Sequence, residues 1–369
     1  MLYTIAAPAR PDRNAGMYMP VSASPSALRI SRLAAPPAAW DDFVGQAEDA
    51  TYCHLAGWSR VMEEVFGHES IYLIAEDDSG AWRGVLPLVR VRSLLTGQHL
   101  ISVPYLNDGG PLGEEPARAV LAAHAVELAK EAGAKQLELR ARRRIQSPVA
   151  PVARKVSVHL PLPDDADELW RRGFRAKLRS QIKRPIAEGM EARFGADQLD
   201  AFYRVFAHNM RDLGTPVLPR RFFATIAATF PNQVIFGVVY HQARPVGAGC
   251  GFLWHDEFEM TWASTLRDYN PLSPNMLLYW SMMGQAIARG ARRFNFGRCS
   301  PGSSTHRFKL QWGGAEVPLP WLQWPRPADG AASSADGRLM QLAAKSWRRL
   351  PLPLANRIGP LLSPHLPWY

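Results

Sequence analysis

Residues Phe294 to Trp312, which read FNFGRCSPGSSTHRFKLQW, decide the fold predicted for this chain. Alternating apolar residues predict a strand that ends in a turn at Gly297. After a loop rich in proline, glycine and serine, Ser303 or Ser304 is placed to cap a helix that presents Lys309. A helix N-terminus that follows a strand and carries a cation suits an anionic substrate, although an ordinary βα unit has the same pattern.

Length and composition describe an ordinary globular protein with a strong positive charge. The 369 residues leave room for about two domains, and 47% apolar with 21% charged residues is enough to form cores. The net charge of +10 indicates an anionic partner, such as a phosphate-bearing molecule, a nucleic acid or the inner membrane surface. Charge alone does not choose among these partners.

Several classes of protein are disfavoured by the sequence. The three cysteines, Cys53, Cys250 and Cys299, are too scattered for a disulfide framework or a zinc cluster, and the histidines show no metal-ligand spacing. We therefore expect no metal site. The N-terminal residues lack the pattern of a signal peptide, and no window approaches 18 unbroken apolar residues. We expect a cytoplasmic protein, with peripheral contact to the inner membrane left open.

The order of predicted elements suggests an internal repeat. Residues 1–27 are rich in proline, alanine and serine and are expected to form a disordered lead. Residues 28–150 read as two helices, three strands, a helix and a strand. Residues 151–322 read as a strand, three helices, three strands, a helix, and the strand and helix quoted above. Residues 323–369 form a tail with a short helix. Three strands, a helix and a further strand thus occur in both central units.

The clearest periodicity follows residue 165, where residues four apart form two stripes on one predicted helix. One stripe is apolar and should be buried: Trp170, Phe174, Leu178 and Ile182. The adjoining stripe is basic: Arg171, Arg175, Arg179 and Lys183. Since no acidic residue lies between positions 171 and 184, the basic stripe is suited to anions, or to acidic groups elsewhere in the fold. Arg175, Arg179 and Lys183 are therefore candidate substrate-binding residues.

Polar residues near three predicted loops are further candidates for substrate contacts. One loop, YLNDGG, is expected to line a cleft, and the end of the strand quoted first is expected to line the same cleft. The third loop precedes a helix that begins at Ser273, where free N–H groups could hold a pyrophosphate or simply be capped. The candidates at these positions are Tyr105, Asn107, Asn270, Asn275, Arg298 and Ser300.

The repeated core, the basic helix and the final strand, loop and helix with Phe308, Lys309 and Trp312 resemble the Fem family. These are tandem acetyltransferase-like (GNAT) proteins of the FemA, FemB and FemX type. The phrases YLNDGG and LGTPVLP, with residues 296–309, resemble the Gram-negative branch linked to exosortase/PEP-CTERM and exopolysaccharide loci. The resemblance spans residues 28–365. It implies an α/β (α+β) fold of two GNAT-like (acyl-CoA N-acyltransferase) domains, with mixed sheets and a cleft between them.

The resemblance also implies an activity: acyl or aminoacyl transfer from an activated donor to an amine of a cell-envelope or exopolysaccharide precursor. Classical members place amino acids from aminoacyl-tRNA on peptidoglycan precursors. Their active-site Phe-Lys pair corresponds to Phe308, which would pack on the acceptor, and Lys309, which would offer a cation to a phosphate or an oxyanion. Trp312 would join the substrate-binding residues. No carboxylate stands out as the base, which leaves Tyr269 or substrate-assisted proton transfer.

The donor would be acyl-CoA or aminoacyl-tRNA, with no tightly bound cofactor. Two other functions compete with this hypothesis. One is a CoA-dependent N-acetyltransferase of the same fold, with its donor at the helix that begins near Ser273. The other is a non-catalytic protein that binds RNA or an anionic surface through the basic stripe. The sequence does not indicate an oligomeric state.

Overall fold

The computed structural model describes residues 28–94, 96–147, 149, 151–325 and 334–366. The expected disordered lead, residues 1–27, lies outside the described residues. Among those described, no helix combines the length and the apolar character that are needed to cross a membrane.

The first half of the chain places a long helix and two short ones around six strands. In chain order these elements are β1 (Arg29–Leu33), α1 (Trp40–Gln46), α2 (Gly57–Phe66), β2 (Glu69–Glu76), β3 (Trp82–Ser93), β4 (Gly97–Ile101), β5 (Leu112–Gly113), α3 (Glu115–Glu131) and β6 (Gln136–Leu139). The predicted order of helices and strands is confirmed, with two additional strands that were not predicted: the edge strand β1 and the two-residue strand β5.

The second half contains the elements that form most of the site. They are β7 (Pro151–Pro161), α4 (Ala166–Glu168), α5 (Ala176–Ala187), β8 (Glu191–Phe194), α6 (Leu199–Leu213), α7 (Arg220–Thr229), β9 (Val234–His241), β10 (Arg244–Trp254), β11 (Glu257–Thr265), α8 (Pro274–Ala288), β12 (Arg293–Asn295), α9 (Ser304–Leu310) and β13 (Ala315–Trp324). Two further helices follow, α10 (Ser334–Trp347) and α11 (Leu352–Leu362).

One mixed sheet runs through both halves, in the order β1-β2-β3-β4-β6-β13-β7-β12-β11-β10-β9-β8. Its pairs are antiparallel except β4 with β6 and β11 with β12, which are parallel. Each parallel pair is joined by a helix, α3 in the first half and α8 in the second. The mixed α/β fold with a repeated motif is therefore confirmed.

The last strand, β13, joins the two halves of the sheet. It pairs with β6 through Leu322 and Leu139, and with β7 through Pro318 and Val156. Sequence analysis missed this central strand because prolines normally stay at sheet edges. A shift of register between Leu319 and Trp321 accommodates the second proline. The boundary predicted at residue 322 falls inside β13.

The single basic helix predicted from residue 165 is wrong, because the chain breaks it in two. A π-helical turn, Leu169–Gly173, follows α4, and Phe174 and Arg175 are extended before α5 begins. Gly173 disfavours helix at this point, and the Arg179 guanidinium bonds to the exposed carbonyls of Trp170 and Phe174. Helix α5 then continues past Pro185 to Ala187.

Apolar side chains from both halves form a shared core. Helix α2 of the first half packs against α7 of the second, and the ring of Tyr52 stacks on Phe252 with centroids 4.2 Å apart. Aromatic rings that are buried between the halves stabilise the contact between them. A second cluster surrounds α8 and includes Phe294, Phe296 and Trp312.

Candidate active site between the two halves

The site begins where two parallel strands separate. Strands β11 and β12 pair only between residues 257–259 and residues 293–295. Beyond this point β11 continues to Thr265, whereas the chain after Asn295 turns away. The separation opens a gap in the sheet, with unpaired backbone along the remaining part of β11.

A cavity of about 270 Å³ occupies this gap. Strand β11 supplies residues 260–263, the segment after β12 supplies residues 296–298, and α9 supplies Thr305 and Lys309. The first half closes the remaining side with Tyr105 and Asn107. The cavity therefore lies between the two halves, and needs both of them to form.

A β-bulge shapes one wall of the cavity. Cys250 pairs with Trp262 and Gly251 pairs with Met260, so that Thr261 is left out of the register. A bulge of this kind redirects the side chain of the extra residue. The Thr261 hydroxyl lies 2.9 Å from the hydroxyl of Tyr52 and donates to Glu259 over 3.4 Å.

Lys309 is the central cation of the site. Its side chain extends from α9, whose N-cap is Ser303: the hydroxyl of Ser303 accepts from the N–H of His306. The Lys309 Nζ donates to the carbonyl oxygens of Gly297 at 2.6 Å and Arg298 at 2.9 Å. Lys309 is 4% exposed, and this burial lowers its pKa to about 8.

Arg298 places a second cation on the same cavity wall. Its guanidinium lies 5.3 Å from the ring centroid of Trp321, a favourable position for a cation on an aromatic face. Burial, together with the positive charge of Arg140, lowers the pKa of Arg298 to about 10. Two cations at one wall, the buried Lys309 and the half-buried Arg298, favour an anionic or polarised oxygen in the cavity.

A buried carboxylate, Glu259, lies directly behind the cavity wall. Its Oε1 accepts from the hydroxyl of Tyr52 at 3.0 Å and from Nδ2 of Asn107 at 2.6 Å, and its Oε2 accepts from Asn295 at 3.3 Å. Burial, together with the negative charge of Asp108, raises the pKa of Glu259 to about 7. A carboxylate with this pKa exchanges protons readily at neutral pH.

Two more carboxylates surround Glu259 and differ from each other in charge state. Burial raises the pKa of Asp108 to about 6, against the pull of Arg142. Although burial opposes ionisation of Glu257 as well, Arg142 and His159 hold its pKa below the usual range. Glu257 is therefore the permanent anion of the group, and Asp108 and Glu259 are the groups that can change charge.

Sequence reasoning missed Glu259 because nothing in the strand EFEMTWAST shows which face is buried. One signal was available: glutamates at alternating positions in an otherwise apolar strand point to the same side of a sheet. A pair of carboxylates on a face that should be buried indicates a polar site.

The structure brings four of the predicted residues to the cavity: Tyr105, Asn107, Arg298 and Lys309. Tyr105 adopts a left-handed backbone, with φ of 71°, and its hydroxyl lies 3.1 Å from Nε2 of His68.

Three predicted residues lie near the cavity without lining it. Phe308 packs on Tyr279, with ring centroids 5.0 Å apart, and Tyr279 lines the cavity. Trp312 is 1% exposed within the core around α8. The hydroxyl of Ser300 accepts from Nζ of Lys155 at 2.8 Å. Phe308 and Trp312 therefore support the wall from behind.

The remaining predicted residues are not brought together with Lys309. Tyr269 packs against the ring of His241 and lies beneath Arg244, and Asn270 accepts a hydrogen bond from Thr265. Asn275 lies in the first turn of α8. None of these three lines the cavity.

The basic residues of α5 also lie outside the cavity. Arg175 and Lys183 are exposed, and Nζ of Lys183 lies 6.0 Å from the ring of Trp170. Arg179 bonds to backbone carbonyls at the break before α5. These side chains form a separate surface, and only the exposed ones can meet a large anionic ligand there.

Comparison with known proteins agrees with this geometry. Residues 172–310 match the family model of the acetyltransferase (GNAT) domain, a range that contains α8, α9 and the separating strands. A search of curated proteins found no match. Within the second half, residues 172–310 are therefore similar to a GNAT acetyltransferase domain.

Solved structures share the whole two-part fold. FemX superimposes with a TM-score of 0.58 at 13% identity, over 85% of this chain and 100% of that one. The C-terminal DUF2156 domain of a putative lysylphosphatidylglycerol synthetase from Agrobacterium fabrum gives 0.51 at 16%, over 77% and 92%. A tandem GNAT protein from the clavulanic acid biosynthesis pathway gives 0.50 at 12%, over 81% and 98%. At these identities the likeness concerns the fold.

Proposed function

We propose that this protein transfers an acyl or aminoacyl group from an activated donor to an amine of an anionic cell-envelope or exopolysaccharide precursor. One observation carries the proposal: the cavity between β11 and β12 is lined by the cations Lys309 and Arg298 and by Thr261, whose hydroxyl donates to Glu259, a carboxylate behind the wall with a pKa of about 7. Amide formation needs a cation for the developing oxyanion and a base for the amine proton.

The proposed reaction uses this chain's own groups in two roles. The acceptor amine attacks the carbonyl carbon of the donor, and the C–N bond forms while the bond to the leaving thiol or ribose oxygen breaks. The amine proton passes to Glu259 through the hydroxyl of Thr261, which donates to that carboxylate. Of the three N–H donors of Lys309, two hold backbone carbonyls, which leaves one for the oxyanion.

The donor is proposed to be acyl-CoA or aminoacyl-tRNA. The GNAT domain match favours acyl-CoA, because GNAT domains use this co-substrate. The first turn of α8 fits a pyrophosphate: it begins without a side-chain cap, so that its backbone N–H groups face outward. Fem-type aminoacyl transfer and the PEP-CTERM-linked exopolysaccharide branch rest on the family resemblance and on the shared fold. An envelope precursor would place the reaction at the cytoplasmic side of the inner membrane.

A second function, CoA-dependent N-acetylation of another amine, is favoured by the same GNAT match. Binding of RNA or an anionic surface by α5 is favoured only by the exposure of Arg175 and Lys183. A transferase needs Lys309 for activity. A protein that only binds anions through α5 does not, because Lys309 lies away from α5.

The experiment is product analysis by mass spectrometry. Purified protein is incubated with a panel of amine acceptors and with either acetyl-CoA or charged tRNA as donor. We expect an amide product that requires the wild-type enzyme and is lost in Lys309→Ala. Product from acetyl-CoA and none from charged tRNA would exclude the aminoacyl form. Equal product formation by Lys309→Ala would exclude this cavity as the site.

A further inference from the structure

The two C-terminal helices expose large apolar side chains to solvent. On α11, Leu354 is 43% exposed and Leu361 is 68% exposed. With Arg357 they lie three and seven positions apart, so they share one face of the helix. The opposite face is buried through Ala355 and Gly359. Helix α11 therefore carries small buried residues on one face, and leucines together with a cation on the face that is exposed to solvent.

Helix α10 repeats this arrangement over the part whose side chains are described. Leu342 is 61% exposed, and Lys345, three positions further on, is also exposed. Again a leucine and a cation share one face, and exposed Arg349 lies in the turn that follows the helix. A solvated helix would normally carry polar groups of both signs on such a face.

Both helices are firmly attached to the body of the protein. A Cβ atom on Gly359 would lie 2.7 Å from the backbone nitrogen of Val217, which shows how closely α11 approaches that segment. The guanidinium of Arg348 donates to the carbonyl of Leu213 at 3.2 Å. The exposed leucines therefore belong to a packed surface.

A third apolar element lies next to α11. Leu94, at the tip of the β3–β4 hairpin, is 93% exposed. The neighbouring Ser93 donates from its hydroxyl to the carbonyl of His365 at 2.8 Å, which brings the hairpin against the segment that follows α11. We call the exposed faces of α10 and α11 together with Leu94 the tail surface.

The charge of the tail surface is mainly positive. Residues 334–369 contain five arginine or lysine residues and one acidic residue, Asp336, in the first turn of α10. Two acidic groups lie nearby, and both are engaged by arginines: Glu69 pairs with Arg90 at 3.0 Å, and Asp212 pairs with Arg211 at 2.8 Å. A partner of this surface must therefore accept cations and leucines together.

We propose that the tail surface docks the protein on a bilayer that contains anionic phospholipid. The leucines enter the boundary between headgroups and acyl chains, while Lys345, Arg349 and Arg357 lie against the headgroup phosphates. An RNA partner would meet the cations and leave the leucines in water. The tail surface is separate from the cavity at Lys309, so that this proposal does not depend on the proposed reaction.

The test is co-sedimentation of the full chain with two kinds of vesicle, phosphatidylcholine alone and phosphatidylcholine with phosphatidylglycerol. We expect binding to the anionic vesicles, weakened by added salt because screening acts on exposed charges. Each cation near such a surface contributes roughly fivefold. Arg349→Glu with Arg357→Glu should therefore lower the partition coefficient by more than about 30-fold, because it removes two cations and adds two anions. Leu354→Ser with Leu361→Ser should lower it about tenfold.

Matched controls make the same change of net charge, or replace two exposed apolar side chains, elsewhere. Arg60→Glu with Lys130→Glu makes the same change of net charge on α2 and α3, and Leu33→Ser with Val120→Ser replaces two apolar side chains that are each 37% exposed; both variants should bind like the wild type. Circular dichroism checks that every variant is folded. Equal binding to both kinds of vesicle, binding to neither, or equal loss in tail and control variants would overturn the proposal.

Discussion

The two halves have the same order of elements, but the gap beside the parallel strands is filled in the first half and open in the second. In the first half the chain fills its own gap. The segment after β4 folds back across β6, where the N–H of Ser102 donates to the carbonyl of Glu138 and the N–H of Gly110 donates to that of Arg140. In the second half the segment after β12 turns away, and the gap stays open as the cavity.

In each half, a buried cation donates hydrogen bonds to the segment beside the gap. Arg140, 1% exposed, donates to the carbonyls of Val103 and Leu106, and Lys309 donates to those of Gly297 and Arg298. Both cations satisfy carbonyls of a segment that leaves the sheet. Only Lys309 also borders an open space. The repeat in the first half therefore forms a wall of the cavity, to which it contributes Tyr105 and Asn107. The repeat in the second half contains the open space that can hold a ligand.

The largest effect is expected for Lys309→Ala. Removing a donor from a developing oxyanion should reduce kcat by about 100- to 1000-fold, measured with the donor and acceptor found by product analysis. Because Lys309 borders the open cavity, water can bond to the carbonyls of Gly297 and Arg298 in the variant, so the midpoint of chemical denaturation should change less than in Arg140→Ala. Lys130→Ala, an exposed change on α3, serves as the control, and a similar loss of activity in that variant would break the comparison.

The next largest effect is expected for Glu259→Gln. We expect a loss of about 100-fold in kcat, because the amine proton loses its acceptor. In the wild type the rate should rise with pH as Glu259 loses its proton near 7, and fall as Lys309 loses its proton near 8. The pH–rate profile of the variant should lack the acidic limb. A variant that keeps the full bell-shaped profile would assign that limb to another group.

Arg140→Ala should mainly reduce the stability of the fold, whereas Lys309→Ala should mainly reduce kcat. It leaves Glu138 without its guanidinium partner, 2.9 Å away, and leaves the carbonyls of Val103 and Leu106 unsatisfied. Loss of one partner of a buried pair costs about 3 kcal/mol of unfolding free energy. Urea denaturation measures this loss. If Arg140→Ala were as stable as the wild type, while Lys309→Ala unfolded readily, the roles given to the two cations would be reversed.

The smallest expected effect is a pH dependence of stability. Burial raises the folded-state pKa of Glu259 to about 7 and that of Asp108 to about 6. For these two carboxyl groups the folded protein binds more protons than the unfolded chain above pH 4, so they reduce stability as the pH rises from 4 to 7. Buried His54, His68 and His159 act in the opposite direction, because burial lowers their pKa to about 4. Thermal denaturation of the wild type and of Glu259→Gln at pH 5 and pH 7 isolates the contribution of Glu259: the variant should shift by a few degrees in favour of pH 7, and an equal Tm difference in both proteins would contradict the assignment.

Much of the fold could be predicted because its signals are local. The order of strands and helices, the Ser303 cap and the position of Lys309 after a strand all follow from patterns within a few residues of each other. Tyr105 and Asn107 were also placed in a cleft, since a loop that leaves a strand between glycines offers its side chains to a surface.

The features that could not be predicted from the sequence depend on contacts between residues that are far apart in the chain. Glu259 becomes a candidate base only because Tyr52 and Asn107, far away in the chain, bury it and bond to it. Strand β13 was hidden by its prolines, which a bulge accommodates. The basic stripe was drawn on one helix, whereas the break at Phe174 and Arg175 separates its first member from the others.

The position of β13 has a consequence for how the protein comes into being. This strand is made after all other strands of the sheet, yet it lies at the centre, between β6 and β7. Until residues 315–324 leave the ribosome, both of those strands present an unpaired edge. The two halves can fold separately during synthesis, but the sheet that spans them closes only with β13. The order of synthesis therefore delays assembly of the cavity until β13 has been made.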